Sequence, residues 1–208
     1  CSHIWYRWMW APARSSSLSM ESPITILQAI SALEYAAVDP NIEGVCIYQN
    51  GLGTISATNI EELRQALLRF KQSGKFVVAY DDNFTQSEYY LASVADRVSM
   101  HPEGSIEWRG MAFVTVFIKG LLDKLDVSVD IFRPTVCKYK SAVEPFILTQ
   151  MSEANRQQLE SLAEDMWTTI VNDVALQRNI EPAKLKALAA NLSVNTPEEA
   201  KKHGLINE

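Results

Sequence analysis

Histidine, cysteine and glycine are scarce in this 208-residue chain, with three, three and eight copies. His3, His101 and His203 fall in an N-terminal stretch, a turn and a helix end, with no Ser/Asp pattern around them, which argues against a histidine-based triad. Cys1, Cys46 and Cys137 have neither metal-ligand spacing nor an even number, so they read as free thiols and leave the redox compartment open. No run reaches the roughly 20 apolar residues that a membrane-spanning helix needs. A net charge of −6 without a sustained basic stripe argues against a nucleic-acid surface. No metal or cofactor is expected.

The apolar fraction of 47% and the charged fraction of 21% are those of an ordinary globular protein. A chain of this length buries roughly 70% of the surface it exposes when unfolded, enough for a core without disulfides or metals. It begins with Cys1 rather than Met, which reads as a truncated or processed chain rather than a lipidated first residue. The segment Trp5-Tyr6-Arg7-Trp8-Met9-Trp10 suits a membrane interface but is too short to anchor anything alone. Residues 1–22 therefore read as a poorly ordered or atypical leader, and residues 23–208 as one domain.

Ser22-Pro23 is placed to open a helix, and Ile26, Ile30, Leu33 and Ala37 recur at helical spacing. Gly44–Tyr48 and Phe76–Tyr80 are apolar runs of strand type, with the loop Asn50-Gly51-Leu52-Gly53 after the first. Thr58 with Glu61, and Thr85 with Glu88, have capping-box spacing and predict helices. A short strand is expected at Asp96–Met100, a turn at Pro102-Glu103-Gly104, a helix over Phe113–Leu125 and a β-branched strand over Val127–Phe132. A long helix from Ser152 carries Leu159, Leu162, Met166, Ile170 and Val174, followed by helices at Pro182–Leu192 and Pro197–His203. Strands that are continuously apolar and alternate with helices predict an α/β domain with a parallel sheet covered on both faces.

Four stretches and one block carry a family resemblance: Gly44-Val45, Ser73-Gly74-Lys75, Tyr89-Tyr90-Leu91-Ala92-Ser93 before Ala95-Asp96, Leu121-Leu122-Asp123-Lys124-Leu125, and Tyr139-Lys140-Ser141-Ala142-Val143-Glu144-Pro145-Phe146. From about Ile24 onward the chain resembles the N-terminal half of the long, two-half form of the signal peptide peptidase A (protease IV) family. The resemblance implies a Clp-protease/crotonase-like α/β spiral of repeated β-β-α units with a helical C-terminal end. It further implies a serine–lysine endopeptidase that degrades cleaved signal peptides, with Lys140 as the general base and the serine nucleophile in a second half. The family would place an apolar strand ahead of the first helix, where this chain has its Trp-rich stretch, so an edge element is expected to be missing.

The family's catalytic half has its serine three residues before the Tyr pair, and counting back from Tyr89 reaches Gln86. Ser87 falls where that half has glycine and reads as a first-turn helix residue. This chain alone is therefore expected to be inactive. Lysine titrates near pH ~10.4, so a lysine that serves as a base at neutral pH must be held about 4 kcal/mol away from its charged form. Desolvation is the usual means. Val143, Pro145, Phe146 and Ile147 would supply apolar surroundings, Ser141 could hold the amine, and Glu144 would oppose by favouring the ammonium. The connection Arg133–Lys138 is longer than the family's and lacks its Gly. Asp81-Asp82 reads as a solvated turn rather than a metal pair, and Gly51 and Gly53 as residues shaping a substrate groove. The resemblance also implies a homo-oligomer associated with the cell-envelope membrane on its extracytoplasmic face, through a segment absent here. The alternative is a catalytically silent scaffold half that builds the substrate cleft. A crotonase-like acyl-CoA enzyme lacks the paired oxyanion glycines and acid it would need.

Overall fold

The computed structural model describes residues 24–48, 55–132 and 139–208. Its elements run α1 (Ile26–Val38), β1 (Gly44–Tyr48), α2 (Ala57–Gln72), β2 (Phe76–Phe84), α3 (Gln86–Ala92), β3 (Arg97–Ile106), α4 (Lys119–Lys124), α5 (Glu144–Ile147), α6 (Glu153–Arg178), α7 (Pro182–Ala190) and α8 (Pro197–His203). The three strands form a parallel sheet in the order β1-β2-β3. Parallel neighbours need a crossover, and α2 and α3 provide it. The fold is α/β, as expected.

The sheet departs from expectation in one respect. The first half of β2, Phe76–Tyr80, is continuously apolar, yet burial alternates along the strand: Val77, Ala79 and Asp81 are buried, whereas Phe76 and Tyr80 are exposed. The register sets Val45 and Ile47 beside Val77 and Ala79, and Val98 and Met100 beside Ala79 and Asp81, on the buried face. Among the described residues the opposite face is uncovered, and on it Tyr48 stacks against Tyr80 with ring centroids 6.1 Å apart. Strand β3 continues through Pro102-Glu103-Gly104 to Ile106 instead of turning, with a register irregularity opposite Asp81 and Asn83. Gly104 makes this possible, because a Cβ there would lie 1.9 Å from the Asp82 carbonyl oxygen.

Helix starts follow side-chain caps. Thr25 and Gln28 form a capping box at α1; the expected Ser22-Pro23 start lies outside the described residues. At α2 the cap is Ser56, whose side chain accepts from the Asn59 amide, so Thr58 sits inside the first turn rather than at its head. Thr85 with Glu88, Ser152, and Thr196 with Glu199 cap α3, α6 and α8 as expected. The buried apolar stripe of α6 is Trp167, Val171, Val174 and Ala175; of the predicted stripe Val174 is buried and Ile170 packs partly buried against the core, whereas Leu162 is exposed.

Two expectations fail between β3 and α5. Only Lys119–Lys124 of the stretch 113–125 is helical, because Phe113-Val114-Thr115-Val116-Phe117-Ile118 is β-branched and aromatic and has poor helix propensity. Residues 127–132 form no strand. Val127, Val129 and Phe132 are exposed, among the described residues no ladder lies beside them, and β propensity expresses itself only against a neighbouring strand.

The C-terminal end closes on the sheet. The Asn207 amide donates to Val98 O, the Val98 amide to Asn207 Oδ1, and the Met100 amide to Glu208 O, so the last two residues lie along the free edge of β3. Buried Tyr89 donates to Leu205 O at 2.8 Å and Trp108 Nε1 to Leu185 O at 2.9 Å. Both aromatics lie in the core with Trp167.

A buried cation fixes α3. Arg64, 1% exposed, donates to Tyr90 O at 2.5 Å and Ser93 Oγ at 2.8 Å, and its guanidinium lies 4.4 Å from the Tyr90 ring centre. The Tyr90 hydroxyl reaches Glu61 Oε2 at 2.6 Å and Asp173 Oδ2 at 2.5 Å, tying α3 to both α2 and α6. Burial, followed by the bonds to Asp173 and Glu61, raises the Tyr90 pKa; burial lowers that of Arg64.

Candidate functional site

Lys140 lies outside any helix or strand and is exposed, as is Tyr139. The apolar neighbours in sequence therefore do not enclose it: Phe146 is itself 44% exposed. The preceding connection, 133–138, lies outside the described residues, as do Gly51 and Gly53.

The turn on the C-terminal side of Lys140 is well defined. The Glu144 amide donates to Ser141 O at 2.9 Å, and the Leu148 amide to Glu144 O at 2.8 Å, closing a short helix, α5. The sequence reading places no helix here, although Pro145 in a first turn is a recognised start signal. Glu144 is buried, 4% exposed. Its carboxylate accepts from Ser152 Oγ at 2.5 Å, from the Ser152 amide at 3.2 Å and from Asn155 Nδ2 at 3.2 Å. Ser152 is also the cap of α6 and accepts from the Asn155 amide. The Glu144 carboxylate is thus bound to the start of α6. From the other side, the Ile118 amide donates to Pro145 O at 2.9 Å, so the extended segment after β3 docks on the same turn.

The second point of interest is Gln86, the first residue of α3. Its Oε1 accepts from the amides of Arg109 and Gly110, and its Nε2 donates to Gly110 O, each at 3.0 Å. Gly110 has φ +86, a conformation that favours glycine and turns its peptide toward Gln86. Ser87 is exposed, as expected of a first-turn residue. Among the described residues no hydrogen bond joins Lys140 to Gln86, Ser87 or Ser141. The segment 107–118 links the two regions, held by Gln86 at one end and by Pro145 at the other. An open pocket of about 470 Å³ adjoins Gly110, lined by Arg109, Met111, Trp167 and the Glu164–Lys186 ion pair; residues 139–148 take no part in it.

Asp81 is part of β2, not of a solvated turn, and is buried. Burial raises its pKa, and the nearby Glu88 charge adds to this; its Oδ1 accepts from the Asp82 amide at 2.7 Å while Oδ2 has no partner. Among the described residues no group of three or more His, Cys, Asp or Glu side chains could hold a metal ion. Among them, too, no helix is long and apolar enough to cross a membrane.

The chain is 32% identical to Protease 4 of Haemophilus influenzae, over 97% of its own length and 34% of that protein's. It is 35% identical to Protease 4 of Salmonella typhi, over 77% of this chain and 26% of the relative. It is 28% identical to the chloroplastic serine protease SPPA of Arabidopsis thaliana, over 83% of this chain and 25% of the relative. The chain spans about a third or less of the length of these curated relatives. Residues 69–208 match peptidase family S49. That match takes in α3 with Gln86, the Lys140 block and its anchor on α6, and it covers more than half of the sequence: the chain belongs to peptidase family S49.

Proposed function

We propose that this chain is the half of a serine–lysine endopeptidase that supplies the general base, acting on apolar peptide segments such as cleaved signal peptides. The observation that carries this reading is the Lys140 block: an exposed lysine on a short turn whose next residues are anchored, through buried Glu144, to the head of α6. The serine comes from a second half, because Gln86 occupies the expected position and its amide is engaged with Arg109 and Gly110. The serine oxygen attacks the peptide carbonyl while the neutral Lys140 amine takes its proton; the leaving amine takes that proton as the acyl-enzyme forms, and water completes hydrolysis. A lysine acts as a base in its neutral form, which exclusion of water favours, so the second half is expected to cover Lys140. Assembly as a homo-oligomer and attachment to the cell-envelope membrane on the extracytoplasmic face belong to the same proposal.

In the assembled enzyme, Lys140→Ala is expected to reduce turnover of an unstructured apolar peptide by about 10²–10⁴-fold. A second reading, a scaffold half that only shapes the cleft, is favoured by the exposure of Lys140 and predicts that the same variant keeps full activity. Turnover of that variant decides between them.

A further inference from the structure

We infer that Glu144 is the positioning residue for Lys140, acting through Ser152 and Asn155 at the head of α6; the inference rests on Lys140 being the base. Lys140 is exposed, and neither helix nor strand holds its backbone. The nearest fixed structure is the turn four residues on, where the Glu144 amide bonds Ser141 O, the residue adjoining Lys140. Glu144 therefore joins the lysine's segment to the body of the domain: its amide closes the turn on Ser141, and its carboxylate binds that turn to the head of α6.

A buried carboxylate is costly unless its oxygens are hydrogen-bonded. Here both oxygens accept: Oε1 from Ser152 Oγ at 2.5 Å, Oε2 from the Ser152 amide and from Asn155 Nδ2 at 3.2 Å each. The site also lies at the N-terminus of a 26-residue helix, whose dipole favours negative charge. An apolar side chain would fill the same space, but only directed bonds fix one orientation of the turn. The sequence places a carboxylate four residues from the amine, where it would be expected to hold the lysine charged. In the structure that carboxylate is bonded to the head of α6. The Ile118 bond to Pro145 O holds the turn from its other side.

The test uses the assembled enzyme and an unstructured apolar peptide, with Glu144→Ala, Glu144→Gln and Ser152→Ala beside Lys140→Ala. A misplaced base lowers kcat by about 10–100-fold while leaving KM unchanged. Glu144→Ala is expected to behave in this way, and Glu144→Gln, which keeps an oxygen for Ser152, to recover most of the loss. Ser152→Ala removes the shortest bond without touching Glu144 and should shift kcat in the same direction, which covers the case of Glu144→Ala failing to fold. In parallel, mass spectrometry tracks acylation of Lys140 relative to the other lysines, a readout that needs no activity; its rate should change in the Glu144 and Ser152 alanine variants. Unchanged kcat and unchanged labelling in folded variants, or a change confined to KM, would overturn the inference. If Lys140→Ala is itself fully active, the base reading fails. The labelling then still reports whether Glu144 holds the segment.

Discussion

Gln86 and Gly110 exchange two hydrogen bonds of 3.0 Å, the side-chain amide of one pairing with the peptide groups of the other. A third bond, from the Arg109 amide, goes to the same Gln86 oxygen. The residue standing where the nucleophile would be expected is thus a staple between the start of α3 and the segment leaving β3. Gln86→Ser shortens the side chain beyond the reach of these partners and leaves two amide donors without their acceptor. It is expected to cost about 1–3 kcal/mol, measured by chemical denaturation, and to create no peptidase activity in this chain. Turnover gained by the serine variant would contradict the assignment of the nucleophile to another half.

Arg64 is the cation that holds α2, α3 and α6 together. Replacing it with Met removes its bonds to Tyr90 O and Ser93 and strips the charge that faces Asp173. Breaking a buried charge cluster from one side costs about 3–5 kcal/mol, which for a domain of this size lowers the melting temperature by roughly 10 °C. A variant that melts within two or three degrees of the parent, on the order of 1 kcal/mol, would mean that the neighbouring apolar packing alone secures α3.

Asp81 predicts a pH dependence of the opposite sign to that of a salt-bridged carboxylate. Burial raises its pKa in the folded state above the ordinary carboxylate value of 3.8. The folded protein then holds this proton more tightly than the unfolded chain does. Its contribution is fully favourable below that ordinary value and is lost as pH rises through the raised one. Asp81→Asn removes the charge and keeps the shape, so the stability of the variant relative to the parent should increase with pH across this window and then level off. Denaturation curves from pH 4 to 8 check this, and a difference constant with pH would show that Asp81 does not titrate there.

Asp96 works the other way. Burial opposes its charge, but the bonds from Lys71 and from the Val77 amide outweigh it and lower the pKa. Its stabilisation is present above the ordinary carboxylate value and is lost as pH falls through the lowered one. Asp96→Asn should therefore destabilise the protein at neutral pH and have little effect in strong acid. Equal destabilisation at both extremes would point to shape rather than charge.

Local chemistry determined much of this protein. The Thr85–Glu88 and Thr196–Glu199 capping boxes, the Ser152 cap and the stop at Gly204 each act within one helical turn, so they are legible from a few consecutive residues. The parallel α/β class is legible in apolar runs that alternate with helical stripes, and Lys140 stands out through a contiguous block. Local signals could not decide partnership. Val127–Phe132 has the composition of a strand but, among the described residues, no ladder to join, and Phe76 and Tyr80 are aromatic strand formers yet are exposed. Lys140 is set among apolar residues in sequence yet is exposed in the fold. The bond from Glu144 to Ser152 spans eight residues, that from Gln86 to Gly110 spans 24, and that from Tyr89 to Leu205 spans 116. Such bonds depend on which elements meet in space, and only the tertiary structure brings those elements together.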